Sequence, residues 1–349
     1  MMVLFEEDLD HILDHTRDLW EDIRGDSIFI TGGTGFFGCW LLESFAWANA
    51  RLDLNASAHV LTRNPAAFFG KAPHLSGNQA LHFHEGDVRD FKFPDGKFSH
   101  VIHAATGVDG GGAVQDPVSV FEGMVRGMRR TLEFAERCNA WRFLFTSSGA
   151  VYGKQPPGLT HIPEEYAGAP ETVDPLSAYG EAKRVSEFLS AMYALRCGFE
   201  AKIARCFAFV GPHLPLRVNL AVGNFIGNVL AQEPILVKGD GTPYRSYLYA
   251  ADLAIWLWTI LFRGASGRPY NVGSDMALTI AELAATVASV SGSREPVRIA
   301  RAPFMGEPAQ RYVPSTERAR NELGLSVKIH VEEAVRRTIL WHKRQIDPR

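Results

Sequence analysis

Ser27-Ile28-Phe29-Ile30-Thr31-Gly32-Gly33-Thr34-Gly35-Phe36-Phe37-Gly38-Cys39-Trp40-Leu41-Leu42-Glu43-Ser44-Phe45 is the stretch that decides the fold. The apolar run from Ser27 reads as a strand, glycines follow, and Phe37–Phe45 reads as a helix. The glycines parse as GxxGxxG over Gly32, Gly35 and Gly38, or as GxGxxG over Gly33, Gly35 and Gly38. Glycine is needed where a backbone turns with positive φ or comes close to a pyrophosphate. A helix start then offers unpaired N–H groups and the positive end of its dipole to the phosphates. Such a loop alone is weak evidence. At the head of an alternating strand and helix series it points to a dinucleotide.

That series continues along the chain. Ala58–Thr62, Leu81–His84, His100–Ala104, Phe143–Thr146 and Ala201–Arg205 read as strands, with helices over Pro117–Arg137 and Ala178–Leu195. The alternation predicts an α/β fold, a Rossmann-type doubly wound parallel sheet. After Gly211 the pattern is broken by Pro212, Pro215, Pro234, Gly239, Gly241 and Pro243. Tyr270–Val272 reads as one more strand, and Leu278–Ser291 and Val331–Lys343 as helices. The expected division is an N-terminal helical arm over 1–26, a dinucleotide-binding domain over 27–210 plus 246–274, and a smaller, discontinuous C-terminal α/β substrate domain over 211–245 plus 275–349. Leu9, Ile12, Leu13, Leu19, Trp20 and Ile23 give the arm an apolar face to lay on the domain or on a neighbouring subunit.

Composition narrows the function class. With 349 residues, 46% of them hydrophobic and 21% charged, the chain can bury a large core, which excludes disorder and a small disulfide scaffold. Its 36 basic and 39 acidic residues give a net charge of −3, with no basic footprint for nucleic acid. Cys39, Cys138, Cys197 and Cys206 make no CxxC pair and no zinc pattern, so no metal is expected. The acidic start, MMVLFEEDLDHILDH, lacks the basic and apolar regions of a signal peptide, and the apolar run near Ile255–Phe262 is too short for a bilayer. The expectation is a cytoplasmic protein without a membrane partner.

A second group of residues carries chemistry. Tyr179 and Lys183 stand at i and i+4, on one face of a helix. An ammonium there favours the phenolate, so the tyrosine is expected to have a lowered pKa and to serve as general acid or base. Thr146-Ser147-Ser148-Gly149-Ala150-Val151-Tyr152-Gly153 begins at the C-terminal end of a predicted strand, where open α/β sheets place their sites. Ser148 can hydrogen-bond the oxygen that Tyr179 protonates. The second strand ends Leu61-Thr62-Arg63-Asn64, without the acid that would hold an adenosine ribose. Arg63 could pair with a 2′-phosphate, so NADP is favoured over NAD, and both stay open. Asp252 opens an apolar helix and reads as a structural residue.

TGGTGFFG, Gly86-Asp87-Val88-Arg89-Asp90, His103-Ala104-Ala105, SSGAVYG and YGEAK occur in the order seen in extended short-chain dehydrogenases/reductases. The chain resembles most the NAD(P)-dependent nucleotide-sugar epimerase/dehydratase branch, continuing through Arg205, Gly239-Asp240-Gly241, Arg245 and Tyr270-Asn271-Val272-Gly273. Gly32, Gly35, Phe36, Phe37 and Gly38 of the turn are expected to bind the cofactor, and the resemblance implies that Asp87 and Val88 bracket the adenine and that Ala104, Ala105 and Thr106 line the cofactor. It implies Ser148, Tyr179 and Lys183 as the catalytic trio, with Lys183 also on the nicotinamide ribose. Arg245, with Arg311, would hold the diphosphate of a nucleotide-diphosphate sugar. A homodimer through Pro117–Arg137 and Ala178–Leu195 is implied too.

Departures from the family pattern narrow the reaction. The 4,6-dehydratases carry Asp-Glu where this chain has Gly149-Ala150, and related decarboxylases carry Glu at the second position. Epimerase-reductases acting at C3 and C5 place Cys there, with a partner His that matches His213. Met124 replaces a common Asn, and the glycine loop Gly107–Gly112 is unusual. What remains is hydride transfer at one sugar carbon, usually C4, by an epimerase or a 4-ketoreductase. The alternatives are a dehydratase of the same family, weakened by Gly149-Ala150, a reductase of steroid or phenolic carbonyls, and a non-catalytic NAD(P)-binding protein.

Overall fold

The computed structural model describes residues 5–106, 116–216, 218, 220–302, 306 and 308–346. In chain order the strands are β1 (Ser27–Thr31), β2 (Ser57–Thr62), β3 (Leu81–Glu85), β4 (His100–His103), β5 (Arg142–Ser148), β6 (Glu200–Cys206), β7 (Phe209–Val210), β8 (Ile235–Val237), β9 (Tyr244–Arg245), β10 (Leu248–Tyr249), β11 (Pro269–Val272), β12 (Leu278–Thr279), β13 (Val297–Ile299) and β14 (Arg311–Tyr312). The α-helices are α1 (Glu6–Thr16), α2 (Phe36–Arg51), α3 (Pro65–Lys71), α4 (Pro117–Arg137), α5 (Ala178–Cys197), α6 (Ala221–Leu230), α7 (Ala250–Arg263), α8 (Ile280–Ser291), α9 (Glu317–Leu323) and α10 (Val331–Ile346).

The main sheet runs β11-β6-β5-β4-β1-β2-β3, and every pairing in it is parallel. Ile28 stands between Ala58 of β2 and His100 of β4. A parallel sheet is covered on both faces, so its strands carry near-continuous apolar runs. Ile28, Phe29 and Ile30 are accordingly buried without remainder. One face is covered by α2, α7 and the N-terminal segment, and the other by α4 and α5. The doubly wound α/β architecture expected from the alternation is present.

The smaller strands lie in the stretch where the sequence pattern loses its regularity. β12-β9-β14 form a three-stranded sheet, β8 pairs with β13, and β7 pairs with β10. The helix expected from Leu278 begins at Ile280 instead, because Leu278 and Thr279 pair with Arg245 and Tyr244. Thr279 then closes a capping box: its Oγ1 accepts from the Glu282 N–H at 3.1 Å, and Glu282 accepts from the Thr279 N–H at 2.7 Å.

The N-terminal segment packs into the core. Trp20 is fully buried, 4.8 Å from the Trp258 ring and edge-on to Phe45 and Phe262. Its indole N–H donates to Thr16 Oγ1 at 3.0 Å, which satisfies the one polar group that burial would strand. Asp252, also fully buried, accepts from the backbone N–H groups of Lys328 (2.8 Å) and Ile329 (3.0 Å) and faces His11 at 3.3 Å. That carboxylate ties α7 to α1 and to the segment before α10, which is the structural role read from its place at a helix start. Among the described residues no helix is long and apolar enough to cross a membrane.

Truncating Trp20 to Ala removes the largest side chain of this contact and is expected to destabilise the fold by about 3–5 kcal/mol. Urea unfolding measures this, and a loss under about 1 kcal/mol would show the segment to be peripheral to the core.

Candidate active site

The chain leaves β1 toward β2 on one side and returns to β4 on the other, so a crevice opens at the C-terminal ends of β1 and β4. The crevice is narrow. Gly32 has φ +73°, and a Cβ there would lie 2.5 Å from the backbone carbonyl carbon of Ala104. A Cβ on Gly38 would lie 2.3 Å from the Gly32 oxygen, so α2 presses directly on its own turn. Gly35 is the N-cap of α2 and makes no side-chain cap, which leaves first-turn N–H groups facing the crevice. A backbone cradle of this kind fits the pyrophosphate of a dinucleotide.

A cavity of about 590 Å³ continues from this turn. Of the residues singled out by sequence, Gly32, Gly35, Phe36, Phe37, Ala104, Thr106, Ser148, Tyr179, Lys183 and Arg245 line it together. Gly38 and Ala105 stand behind that lining, in the packed turn. Strand β5 delivers Ser148 at its C-terminal end, and α5 presents Tyr179 and Lys183 from its first two turns.

Lys183 is fully enclosed. Its Nζ donates to the Thr146 carbonyl oxygen at 2.7 Å and lies 4.8 Å from the Phe145 ring centre. Burial pulls this ammonium down to about 8. Burial also pushes the Tyr179 phenol up, against a smaller opposing effect of the Ser148 hydroxyl. This reverses the expected lowering by Lys183. The ammonium is turned onto a backbone carbonyl, 5.8 Å from the Tyr179 ring centre, and loss of water governs the phenol.

Beneath the trio lies a charged network absent from the sequence reading. Ser147 Oγ donates to Glu187 at 2.5 Å, and Arg205 grips the same carboxylate with Nε at 3.0 Å and Nη2 at 2.7 Å. Arg205 also donates to the Tyr152 hydroxyl at 2.9 Å, which donates to Asn271 at 2.8 Å. The network links β5, α5, β6 and β11. Its sequence signal was Glu187 itself, one helical turn beyond Lys183. Tyr312 was also missed. It reaches the cavity from β14, and no motif marks it.

Other expected site residues stand apart from the cavity lining. Arg63 is exposed at the end of β2. Asp87 is gripped by Arg89 through Nε (2.7 Å) and Nη2 (2.9 Å), and chiefly this holds its carboxyl low, with Arg63 adding a smaller effect. Val88 packs under Gly127 of α4, where a Cβ would come within 2.9 Å of it. Arg311 does not join Arg245 in the cavity, because its guanidinium lies 3.9 Å over the Tyr244 ring. His213 is buried outside the cavity, 3.4 Å from Glu43 and against Trp341. The Gly107–Gly112 loop lies outside the described residues.

A family model described as the NAD dependent epimerase/dehydratase family matches residues 28–273. UDP-glucuronic acid decarboxylase 5 of Arabidopsis thaliana is 30% identical over 312 residues, which are 88% of this chain and 86% of that protein. The epimerase Mth375 of Methanothermobacter thermautotrophicus superposes with a TM-score of 0.78 at 21% identity, over 96% of this chain and 97% of that one. UDP-glucose 4-epimerase of Thermotoga maritima, solved with UDP-glucose, superposes with a TM-score of 0.75 at 21% identity, over 92% and 100%.

Lys183 makes stability depend on pH in a definite direction. Its folded pKa of about 8 lies below the unfolded value of 10.5, so between those values the unfolded chain binds more protons and stability rises with pH. Below about pH 8 the buried charge carries its full cost. Wild type is therefore expected to gain about 3 kcal/mol relative to Lys183→Met between pH 8 and 10.5. Paired urea titrations across that range measure it, and a gap independent of pH would contradict the buried ammonium.

Proposed function

The chain belongs to the NAD-dependent epimerase/dehydratase family, and from that premise we propose that it is an NAD(P)-dependent nucleotide-sugar epimerase or 4-ketoreductase. The observation that carries this is the make-up of the cavity: Ser148, Tyr179 and Lys183 stand together, Arg245 stands with them, and no Asp or Glu is among the described lining residues. Elimination of water from a sugar needs a carboxyl pair beside the trio. Position 149 offers no space for one, because a Cβ there would lie 2.7 Å from both the Phe207 ring and the Tyr312 hydroxyl. Ala150 supplies no carboxyl either.

The dinucleotide, when bound, supplies the hydride acceptor or donor for one sugar carbon. The protein's part is proton management and positioning. Tyr179, kept protonated by burial, gives its proton to a sugar carbonyl oxygen. In the oxidising direction the same oxygen must start as the phenolate and take the proton of the sugar hydroxyl, and the positive charge of Lys183, one turn along α5, favours that phenolate. Ser148 holds the same oxygen. Arg245 lines both this cavity and a second one of about 590 Å³, which also includes Asn224, Phe225, Lys238 and Gly239. A diphosphate held by the Arg245 guanidinium would lay the sugar in the first cavity and the nucleoside in the second. Arg63 at the end of β2, with no acid beside it on that strand end, favours NADP.

The assembly we propose is a homodimer. Phe188, Met192 and Leu195 on α5 and Val118 on α4 are large apolar side chains left exposed, with Leu195 90% exposed. A second copy covering α4 and α5 would bury them.

Turnover of UDP-, GDP-, CDP- and dTDP-sugars with NADP⁺, NADPH or NAD⁺ is expected to fall by about 10²–10⁴-fold in Tyr179→Phe, with thermal shifts by the dinucleotide and by UDP retained. Undiminished turnover in that variant would overturn the mechanism. Light scattering coupled to size exclusion is expected to report a dimer at micromolar concentration, and a monomer there would remove the proposed interface.

A further inference from the structure

Lys183 is a buried cation, and the cavity lining offers nothing to balance it, since no Asp or Glu is among the described lining residues. Three titratable groups stand near it on the elements packed together here, and burial keeps each of them neutral. The Tyr179 phenol, one turn earlier on α5, is pushed up. The Cys206 thiol, at the end of β6, is pushed up to about 12. The His103 ring, at the end of β4, is pulled down to about 3, first by burial and then by Lys183 itself. Burial is also the largest influence on Lys183, and Cys206 and Glu187 act against it. With the thiol neutral, Glu187 is the one of these groups that brings a negative charge.

Tyr179, Lys183 and Glu187 follow one another at i, i+4 and i+8 along α5, on one face of the helix. Strand β5 meets that face twice. The Thr146 carbonyl takes the Lys183 ammonium at 2.7 Å, and the next residue, Ser147, donates its hydroxyl to Glu187 at 2.5 Å. From β6, Arg205 holds the same carboxylate through Nε at 3.0 Å and Nη2 at 2.7 Å. The Glu187 side chain is 13% exposed, so these donors fix it in place of water. Its charge therefore stays one helical turn from Lys183.

We propose that Glu187 is a positioning residue whose fixed negative charge keeps Lys183 protonated in the dry crevice and, through Lys183, favours the Tyr179 phenolate. Its catalytic consequence rests on the reading that Tyr179 is the acid and base of a hydride transfer. Glu187 itself does not line the cavity and touches neither sugar nor cofactor. Its effect passes through Lys183, which titrates at about 8 and is thus close to losing its proton at neutral pH. Without a neighbouring carboxylate the ammonium gives up its proton more readily, and the phenolate loses its cation.

Glu187→Gln alone would strand the Arg205 guanidinium, so the test variant is Glu187→Gln/Arg205→Met, which removes both charges of the pair. Glu187→Gln/Arg205→Gln replaces it where the first does not fold, and Glu187→Asp keeps the charge. The readout is the titration of Lys183 in the full chain, followed by NMR of lysine labelled with carbon-13 at Cε and assigned by the signal missing in Lys183→Met. Relative to wild type, the neutral variant is expected to titrate about 1 pH unit lower, and Glu187→Asp to stay near wild type. Loss of packing alone would not separate Asp from Gln in this way. In the oxidising direction the neutral variant is expected to lose about 5-fold in kcat at pH 8, a deficit that narrows toward pH 6, where Lys183 is charged in both proteins. An unmoved Lys183 titration, an Asp variant shifted as far as the neutral one, or a kcat deficit independent of pH would each overturn the proposal. A wild type that turns over no sugar nucleotide while the Lys183 titration shifts as expected would overturn the functional reading alone.

Discussion

The structure depends on one close approach of backbone to backbone. The turn after β1 meets the chain leaving β4 with no side chain between them, since a Cβ on Gly32 would fall within 2.5–2.6 Å of three backbone atoms of Ala104 and Ala105. This contact closes the switch point of the sheet and brings the start of α2 over the strand ends. Gly38 extends the same constraint into the helix, whose first turn rests on the Gly32 carbonyl. From there the order of events is geometric. The N-terminus of α2 faces the crevice, β5 ends beside it, and α5 returns along the same edge with Tyr179 and Lys183.

Electrostatics in the crevice follow from what covers it. Lys183 pays for its position in lost hydration, and a single carbonyl oxygen plus an aromatic face only partly replace water. Glu187 stands one turn further along α5, but it is already committed to Arg205 and Ser147. That ion pair sets the end of β5 against α5, so the two elements that deliver the trio are clamped by a group that does not itself line the cavity. A buried pair of this kind is weak evidence for stability and better evidence for a specified geometry.

Much of the fold and part of the site were legible in the chain. The glycine turn, the strand alternation and the YxxxK spacing are local patterns, and a local pattern survives into the structure when nothing distant competes with it. The helix over Pro117–Arg137 is of this type, bounded by Asp116 as N-cap and Cys138 as C-cap. The start of α8 was misplaced because Leu278 continues the apolar periodicity, while a partner strand 33 residues earlier claims it. The direction of the Tyr179 shift was misread because residue spacing reveals the charge of Lys183 and is silent on the water that burial removes. Arg311 was grouped with Arg245 on resemblance, yet the aromatic face of Tyr244 holds it elsewhere.

By itself the sequence determined the doubly wound sheet, the dinucleotide cradle and the positions of Ser148, Tyr179 and Lys183, because each rests on backbone requirements or on spacing within one element. Only the tertiary structure decided what surrounds them. Tyr312 enters the cavity because β14 pairs with β9, and Glu187 reaches Ser147 because α5 packs on β5. Gly149 reads as a simple absence along the chain. In three dimensions it is the space that a tyrosine 163 positions later fills, and that follows from packing between segments that share no local pattern.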